Sequence, residues 1–243
     1  MQLPKMPSFS LKGRTALIVG ASSGIGTACA VALAEHGAKV TLAARRKDKL
    51  EILAHQMEKK EFDVKILELD INDIVKTSDT ISKLETFDIL VNSAGIAKHS
   101  ASVDTVFHDF DVVMNTNLRG AYFLTQAVAK NLILEKKKGS LINISSQMGL
   151  VGGQERAVYC ASKHAVEGFT KAMAIEFGNH NIRVNTICPT FILTDMTKKT
   201  FEVPEKRKWI EEKIKDIENR KLAAKARSEE HTSELQSQYF RSR

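Results

Sequence analysis

The stretch Arg14–Gly37, RTALIVGASSGIGTACAVALAEHG, decides how the rest of the chain is read. Its first six residues are almost continuously apolar, the pattern of a strand buried on both faces. From Thr27 an alanine-rich helix former runs to Gly37, the residue type that best accepts the left-handed turn closing a helix. Between the two lies GASSGIG. Gly20, Gly24 and Gly26 let the backbone turn sharply and let an anion approach the exposed N–H groups at the helix start. Ser22, Ser23 and Ile25 complete that turn. The spacing is Gly-x-x-x-Gly-x-Gly, not the commoner Gly-x-Gly-x-x-Gly, and such a turn alone fits a purely structural purpose equally well.

The same alternation continues outward. AKVTLAA reads as a second strand, Asp48–Lys60 as a helix, and VKILELD as a third strand ending on Asp70. FDILVNSAG gives a fourth strand closing on Asn92, Ser93, Ala94 and Gly95. A long helical stretch from about Asp109 to Lys137 carries Asn117. Strand LINIS, helix Cys160–Phe177 and strand IRVNTIC complete six strands. Strands alternating with helices at this pitch predict an α/β fold, a Rossmann-type doubly wound parallel sheet. In that fold an acidic residue ending the second strand would hold the ribose diol of NAD, whereas arginine accommodates the 2′-phosphate of NADP. The strand ends at Ala44-Arg45-Arg46, with no carboxylate. Arg45 is therefore the candidate phosphate donor, and NADP(H) is expected as cofactor, with NAD(H) the alternative. The plainer reading is a solvated helix start.

A second constellation follows the fifth strand. Residues 145–163 read SSQMGLVGGQERAVYCASK. Tyr159 and Lys163 are four apart and share a helix face. Ser146 lies at the end of the preceding strand, and Gly149, Gly152 and Gly153 give the loop freedom to fold back over the helix start. A hydroxyl, a phenol and an ammonium then meet. A lysine beside a tyrosine favours the phenolate, so the phenol can exchange a proton nearer neutral pH. A Tyr-x-x-x-Lys pair alone also fits a solvent-facing helix; the serine and the glycine-rich turn weigh toward chemistry on an alcohol or ketone.

Composition narrows the remaining classes. The 243 residues suffice for one large α/β domain, and no run approaches the ~18 apolar residues of a membrane span. Cys29, Cys160 and Cys188 lie far apart, without the spacing of a zinc site or a disulfide framework, so no metal and a cytoplasmic setting are expected. The formal charge of +7 is concentrated after residue 197, with no basic stripe carrying interleaved aromatics, which argues against a nucleic-acid partner.

With GASSGIG, NSAG, Asn117, Ser146 and Tyr159-x-x-x-Lys163 in this order, the chain resembles the short-chain dehydrogenase/reductase family, single-domain type, over about residues 10–197. The resemblance implies strand order 3-2-1-4-5-6 and a seventh strand beyond. It implies that Tyr159 is the general acid/base and that Ser146 polarises the substrate carbonyl. Lys163 would lower the tyrosine pKa and bind the nicotinamide ribose, and Asn117 would hold a proton-relay water. Gly20, Ser22, Ser23, Gly24, Ile25 and Gly26 would carry the pyrophosphate, with Arg45, Asp70, Ile71, Asn92, Ala94 and Gly95 around the adenosine. Pro189, Ile192 and Thr194 would meet the nicotinamide, Thr194 at its carboxamide. NSAG replaces the usual NNAG, and Pro189-Thr190 replaces Pro-Gly. Gln147, Met148, Glu155, Arg156, Phe191 and Ile192 would surround a small-molecule substrate, of polyol, sugar-alcohol or 3-oxoacyl type, in a homodimer or homotetramer.

The expected organisation is a nucleotide-binding and catalytic domain over 1–197, substrate-loop helices over 198–220, and a polar tail over 221–243. No β-rich run follows Cys188, so the seventh strand is expected to be missing. RSEEHTSELQS (Arg227–Ser237) resembles a translated sequencing adapter, so the tail is expected to be non-native; an ordinary polar tail is the alternative. Two further readings stand beside the enzyme: a nucleotide-binding sensor without turnover, and a truncated inactive chain. The full Asn-Ser-Tyr-Lys set argues against the sensor.

Overall fold

The structure, a computed structural model, describes residues 8–192 and, beyond them, positions 194, 198, 202, 204, 205, 207, 208, 210–212 and 215. The chain divides into two compact units, residues 1–190 and 191–243. The first unit holds six strands: β1 (Thr15–Val19), β2 (Lys39–Ala44), β3 (Val64–Glu68), β4 (Ile89–Asn92), β5 (Gly139–Ile144) and β6 (Ile182–Ile187). All are parallel in the order β3-β2-β1-β4-β5-β6, the order expected. The connecting helices are α1 (Gly24–Glu35), α2 (Lys47–Glu58), α3 (Ile74–Lys83), α4 (Phe107–Met114), α5 (Ala121–Leu134) and α6 (Ala157–Gly178).

The apolar strand runs are buried on both faces because helices cover both. Along β1, Leu17 and Val19 join a cluster with Leu124, Val128 and Leu132 of α5. Ala16 and Ile18 join the opposite cluster with Ala30 of α1 and Leu50 of α2. Period-two alternation along a strand thus feeds two cores, each fully buried leucine contributing about 1.5–3 kcal/mol. One row of register partners crosses all six strands at a single level: Leu67, Ala43, Val19, Asn92, Asn143 and Thr186. Two buried asparagines stand in it, joined by Asn92 Nδ2 donating to Asn143 Oδ1 at 3.1 Å. The loops that carry chemistry begin just beyond this row.

Three local differences from the sequence reading have physical causes. Helix α3 was not expected between the third and fourth strands, yet Asp73 caps it by accepting from the backbone N–H of Lys76 at 3.1 Å. The stretch expected as one helix from Asp109 to Lys137 is α4 and α5 joined by a π-helical turn over Asn115–Gly120. At its end Gly120 packs close on Ile71, since a Cβ there would come 2.9 Å from the Ile71 carbonyl oxygen. Helix α6 starts at Ala157, so Tyr159 already lies within its first turn. Among the described residues β6 is an edge strand. The expected seventh-strand region and the polar tail lie outside the described residues.

Candidate active site

The glycine-rich turn follows β1 at the C-terminal end of the sheet. Gly20 adopts φ +82°, and its N–H donates to the Ala43 carbonyl at 2.8 Å. A Cβ on Gly20 would lie 2.6 Å from the Ala94 nitrogen, so the turn and the NSAG loop touch through bare backbone. A Cβ on Gly26 would lie 2.3 Å from the Gly20 carbonyl oxygen, which lets α1 begin tight against the turn. Ser23, at the N-cap of α1, makes no side-chain capping hydrogen bond, and no acidic residue stands in the first turn. These N-terminal N–H groups are therefore available to an anion, which is the fit a dinucleotide pyrophosphate requires.

The neighbouring arginines divide in a way the sequence did not reveal. Arg46 Nη2 donates to Ser22 Oγ at 2.8 Å and to Ser23 Oγ at 3.1 Å, laying a guanidinium over the turn. Arg45, the expected phosphate donor, is exposed beside buried Ala44. Asp70 lies two residues beyond the end of β3, exposed, with Oδ1 accepting from the Asn72 N–H at 3.0 Å. Ile71 is buried. Asn92 is 3% exposed, and besides bonding Asn143 it accepts from the Ala94 N–H at 3.3 Å. It braces the sheet and the NSAG loop from inside.

The second constellation assembles as the spacing demanded. Ser146 follows β5 in extended backbone, and its Oγ accepts from the Met148 N–H at 3.1 Å. The Gln147 N–H donates to the Pro189 carbonyl at 3.0 Å, fastening this loop to the end of β6. Lys163 is 5% exposed, its Nζ donates to the Ile144 carbonyl at 2.8 Å, and it lies 5.7 Å from the Tyr159 ring centroid. Asn117, 1% exposed on the π-helical turn, accepts from the Ile96 N–H at 2.8 Å. Its Nδ2 donates to the Ile96 carbonyl at 2.8 Å and to Ser162 Oγ at 3.1 Å. A Cβ on Gly95 would lie 3.3 Å from Asn117 Oδ1 and 3.6 Å from Lys163 Nζ, so the NSAG loop, Asn117 and Lys163 converge. The side chain of Asn117 is thus spent on protein partners, a bracing arrangement.

The electrostatics correct one expectation. Burial raises the Tyr159 pKa above its ordinary value; hydrogen bonding from Ser146 and the charge of Arg156 oppose the rise without reversing it. Lys163 donates to the Ile144 carbonyl and lies 5.7 Å from the Tyr159 ring centroid, and burial has the largest effect on the phenol. Burial also lowers Lys163 to about 8, opposed by the fields of Cys188 and Glu167. In the second unit, Ile192 is 46% exposed, and the Thr194 carbonyl accepts from the Lys198 N–H at 2.8 Å. Arg46 and Glu167 were missed by sequence reasoning. Arg46 was written in the same dipeptide as Arg45, and Glu167 repeats, four residues on, the spacing that singled out Lys163. No metal-binding cluster occurs among the described residues.

The chain is similar to known proteins. The chain matches the short chain dehydrogenase family over residues 14–205. It is 35% identical over 200 residues to D-erythrulose reductase of Gallus gallus, covering 82% of this chain and 80% of that protein. It is 38% identical over 206 residues to the 3-oxoacyl-acyl-carrier-protein reductase FabG of Rickettsia prowazekii, covering 85% and 83%. The crystal structure of a gluconate 5-dehydrogenase from Burkholderia cenocepacia in complex with NADP and tartrate superposes with a TM-score of 0.79 at 30% identity, covering 83% of this chain and 80% of that one. The chain belongs to the short-chain dehydrogenase/reductase family and is an NAD(P)(H)-dependent oxidoreductase that interconverts a secondary alcohol and a ketone.

Proposed function

We propose that the chain is an NADP(H)-preferring ketoreductase acting on a small polyol, sugar-alcohol or 3-oxoacyl type substrate, with Tyr159 as general acid and base. The observation that carries this reading is the convergence of Ser146, Tyr159, Lys163 and Asn117 beside a glycine turn shaped for a pyrophosphate. The N–H groups at the start of α1 and Lys163 would hold the dinucleotide, which when bound would supply or accept a hydride at the substrate carbon. The Ser146 hydroxyl orients the carbonyl oxygen, and the Tyr159 O–H delivers a proton to it. Because burial raises Tyr159, the phenol keeps its proton at neutral pH, the form that carbonyl reduction uses. Lys163 sets the field beneath the phenol and offers N–H donors toward a ribose, while Asn117 braces the floor through Ile96 and Ser162.

Three features support NADP(H) over NAD(H). Ala44 presents no carboxylate at the end of β2, Arg46 lies over the turn, and Arg45 is exposed beside it. The named relatives reduce a four-carbon ketose and a 3-oxoacyl thioester, which brackets the substrate class. Three unpaired cysteines accord with a cytoplasmic setting. The test is NADPH and NADH consumption against a panel of ketoses and 3-oxoacyl thioesters, with Tyr159→Phe as control. The variant should lose about 10²–10⁴-fold in turnover with cofactor affinity kept. Near-parental turnover in Tyr159→Phe would refute the assignment.

A further inference from the structure

Behind the proposed catalytic residues lies a second buried cluster. Glu167 sits one helical turn beyond Lys163 on α6 and is 8% exposed. Its Oε2 accepts from Thr186 Oγ1 at 3.0 Å, and its Oε1 accepts from Cys188 Sγ at 3.3 Å. Its stem packs under the serine loop: a Cβ on Gly149 would lie 2.9 Å from Ser145 Oγ, 3.0 Å from the Lys163 carbonyl and 3.2 Å from Glu167 Cγ. From the helix bearing Tyr159 and Lys163, Glu167 thus holds the end of β6 with its carboxylate and backs the loop bearing Ser146 with its stem. That end runs on to Pro189, whose carbonyl holds Gln147.

A buried carboxylate is a costly way to fasten a strand end. Two hydroxyl-sized groups of matching shape would do it without desolvating a charge. What the charge adds is a field, and the buried cation one turn away is the group that feels it. We infer that Glu167 is a positioning residue for the active site: its carboxylate stabilises the Lys163 ammonium from behind and clamps the end of β6 to the Ser146 loop. This inference rests on the oxidoreductase reading of Lys163.

The groups facing Lys163 can be named element by element. The end of β5 offers the Ile144 carbonyl, the π-helical turn Asn117, the NSAG loop Gly95, and the end of β6 Cys188. Its own helix offers Tyr159 and Glu167. Of these only Tyr159, Cys188 and Glu167 titrate. Burial and the hydrogen bond to Glu167 raise the Cys188 thiol, which keeps it neutral near pH 7. Glu167 is the carboxylate among them, and its field is set against the burial that pushes Lys163 down.

The test separates charge from packing. Glu167→Gln keeps the shape and one acceptor oxygen but removes the charge, Glu167→Asp restores a charge on a shorter stem, and Glu167→Ala removes both charge and side chain. The full-length protein is labelled with ¹⁵N-lysine, the Lys163 signal is identified by its loss in Lys163→Met, and its titration is followed alongside the pH profile of kcat/KM. Glu167→Gln should move the Lys163 midpoint, and the alkaline limb of kcat/KM with it, down by about one pH unit or more. Glu167→Asp should return the midpoint toward the parent. An unmoved midpoint in Glu167→Gln would overturn the proposal, as would Glu167→Ala lowering activity equally at every pH. If the parent turns over no ketone or polyol while the midpoint still moves, the oxidoreductase reading fails and the electrostatic role of Glu167 stands.

Discussion

Replacing Lys163 by methionine should make this protein more stable and leave it inactive. Lys163 is 5% exposed, and burial takes its pKa from 10.5 to about 8. At about 1.36 kcal/mol per pH unit, that lowering corresponds to about 3 kcal/mol against the folded state for holding the proton. Methionine is close in shape and carries no charge, but it gives up the hydrogen bond to the Ile144 carbonyl, worth about 1 kcal/mol. The net expectation at pH 7 is a gain of about 2 kcal/mol. The sign with pH follows from linkage. Between about pH 8 and 10.5 the native lysine has released its proton while the unfolded one still holds it, so the parent gains stability from this group as pH rises. The advantage of Lys163→Met is therefore full below about pH 8 and shrinks toward pH 10.5. Urea unfolding of both proteins at pH 7 and pH 10 measures it. A variant less stable than the parent at pH 7, or an advantage that does not change with pH, would refute the reasoning.

Other expectations follow from the same geometry. Arg46→Ala and Arg45→Ala should each weaken NADPH binding by about 1.5–3 kcal/mol and leave NADH binding nearly unchanged, read by fluorescence titration. Equal losses for both cofactors would remove the 2′-phosphate role. Gly149→Ala must displace the Ser146 loop or the Lys163 backbone, since its Cβ falls at 2.9 and 3.0 Å from them. A loss of about 1–3 kcal/mol in thermal or urea unfolding is expected, together with reduced turnover. Because burial raises the Tyr159 pKa, alcohol oxidation, which starts from the deprotonated phenol, should climb with pH across the alkaline range. Ketone reduction should hold through neutrality, and paired initial-rate profiles in the two directions decide the matter.

Much of this was legible in the residues. The parallel α/β alternation and the meeting of Ser146 with Tyr159 and Lys163 follow from apolar runs, glycine placement and i, i+4 spacing, all local signals, whereas the strand order came only from the family resemblance. Helix α3 escaped because its only strong marker is a single cap, Asp73, ahead of a polar sequence. The π-helical turn escaped because nothing in NTNLRG distinguishes a five-residue hydrogen bond from a four-residue one. The phenol's raised pKa was misjudged for a related reason. Spacing shows that lysine and tyrosine share a face, but the balance between burial and charge depends on what else surrounds them. Arg46 and Glu167 were likewise invisible, since their partners, Ser22, Ser23, Thr186 and Cys188, come from other strands or their loops.

The row of register partners across the six strands, from Leu67 through Asn92 and Asn143 to Thr186, has an evolutionary consequence. The glycine turn, Arg45, Arg46, the NSAG loop and Ser146 hang from the chain within a few residues downstream of that line, and Asn117, Tyr159 and Lys163 come from the helical segments beyond, while nearly all that specifies the sheet lies on it or upstream. The two sets of residues can therefore drift almost independently. Lineages can exchange one ketone for another by rewriting short downstream loops without renegotiating the core. The coupling returns only where a side chain crosses the line, as Glu167 does in reaching Thr186. Such crossings are where a change of substrate and a loss of stability should be inherited together.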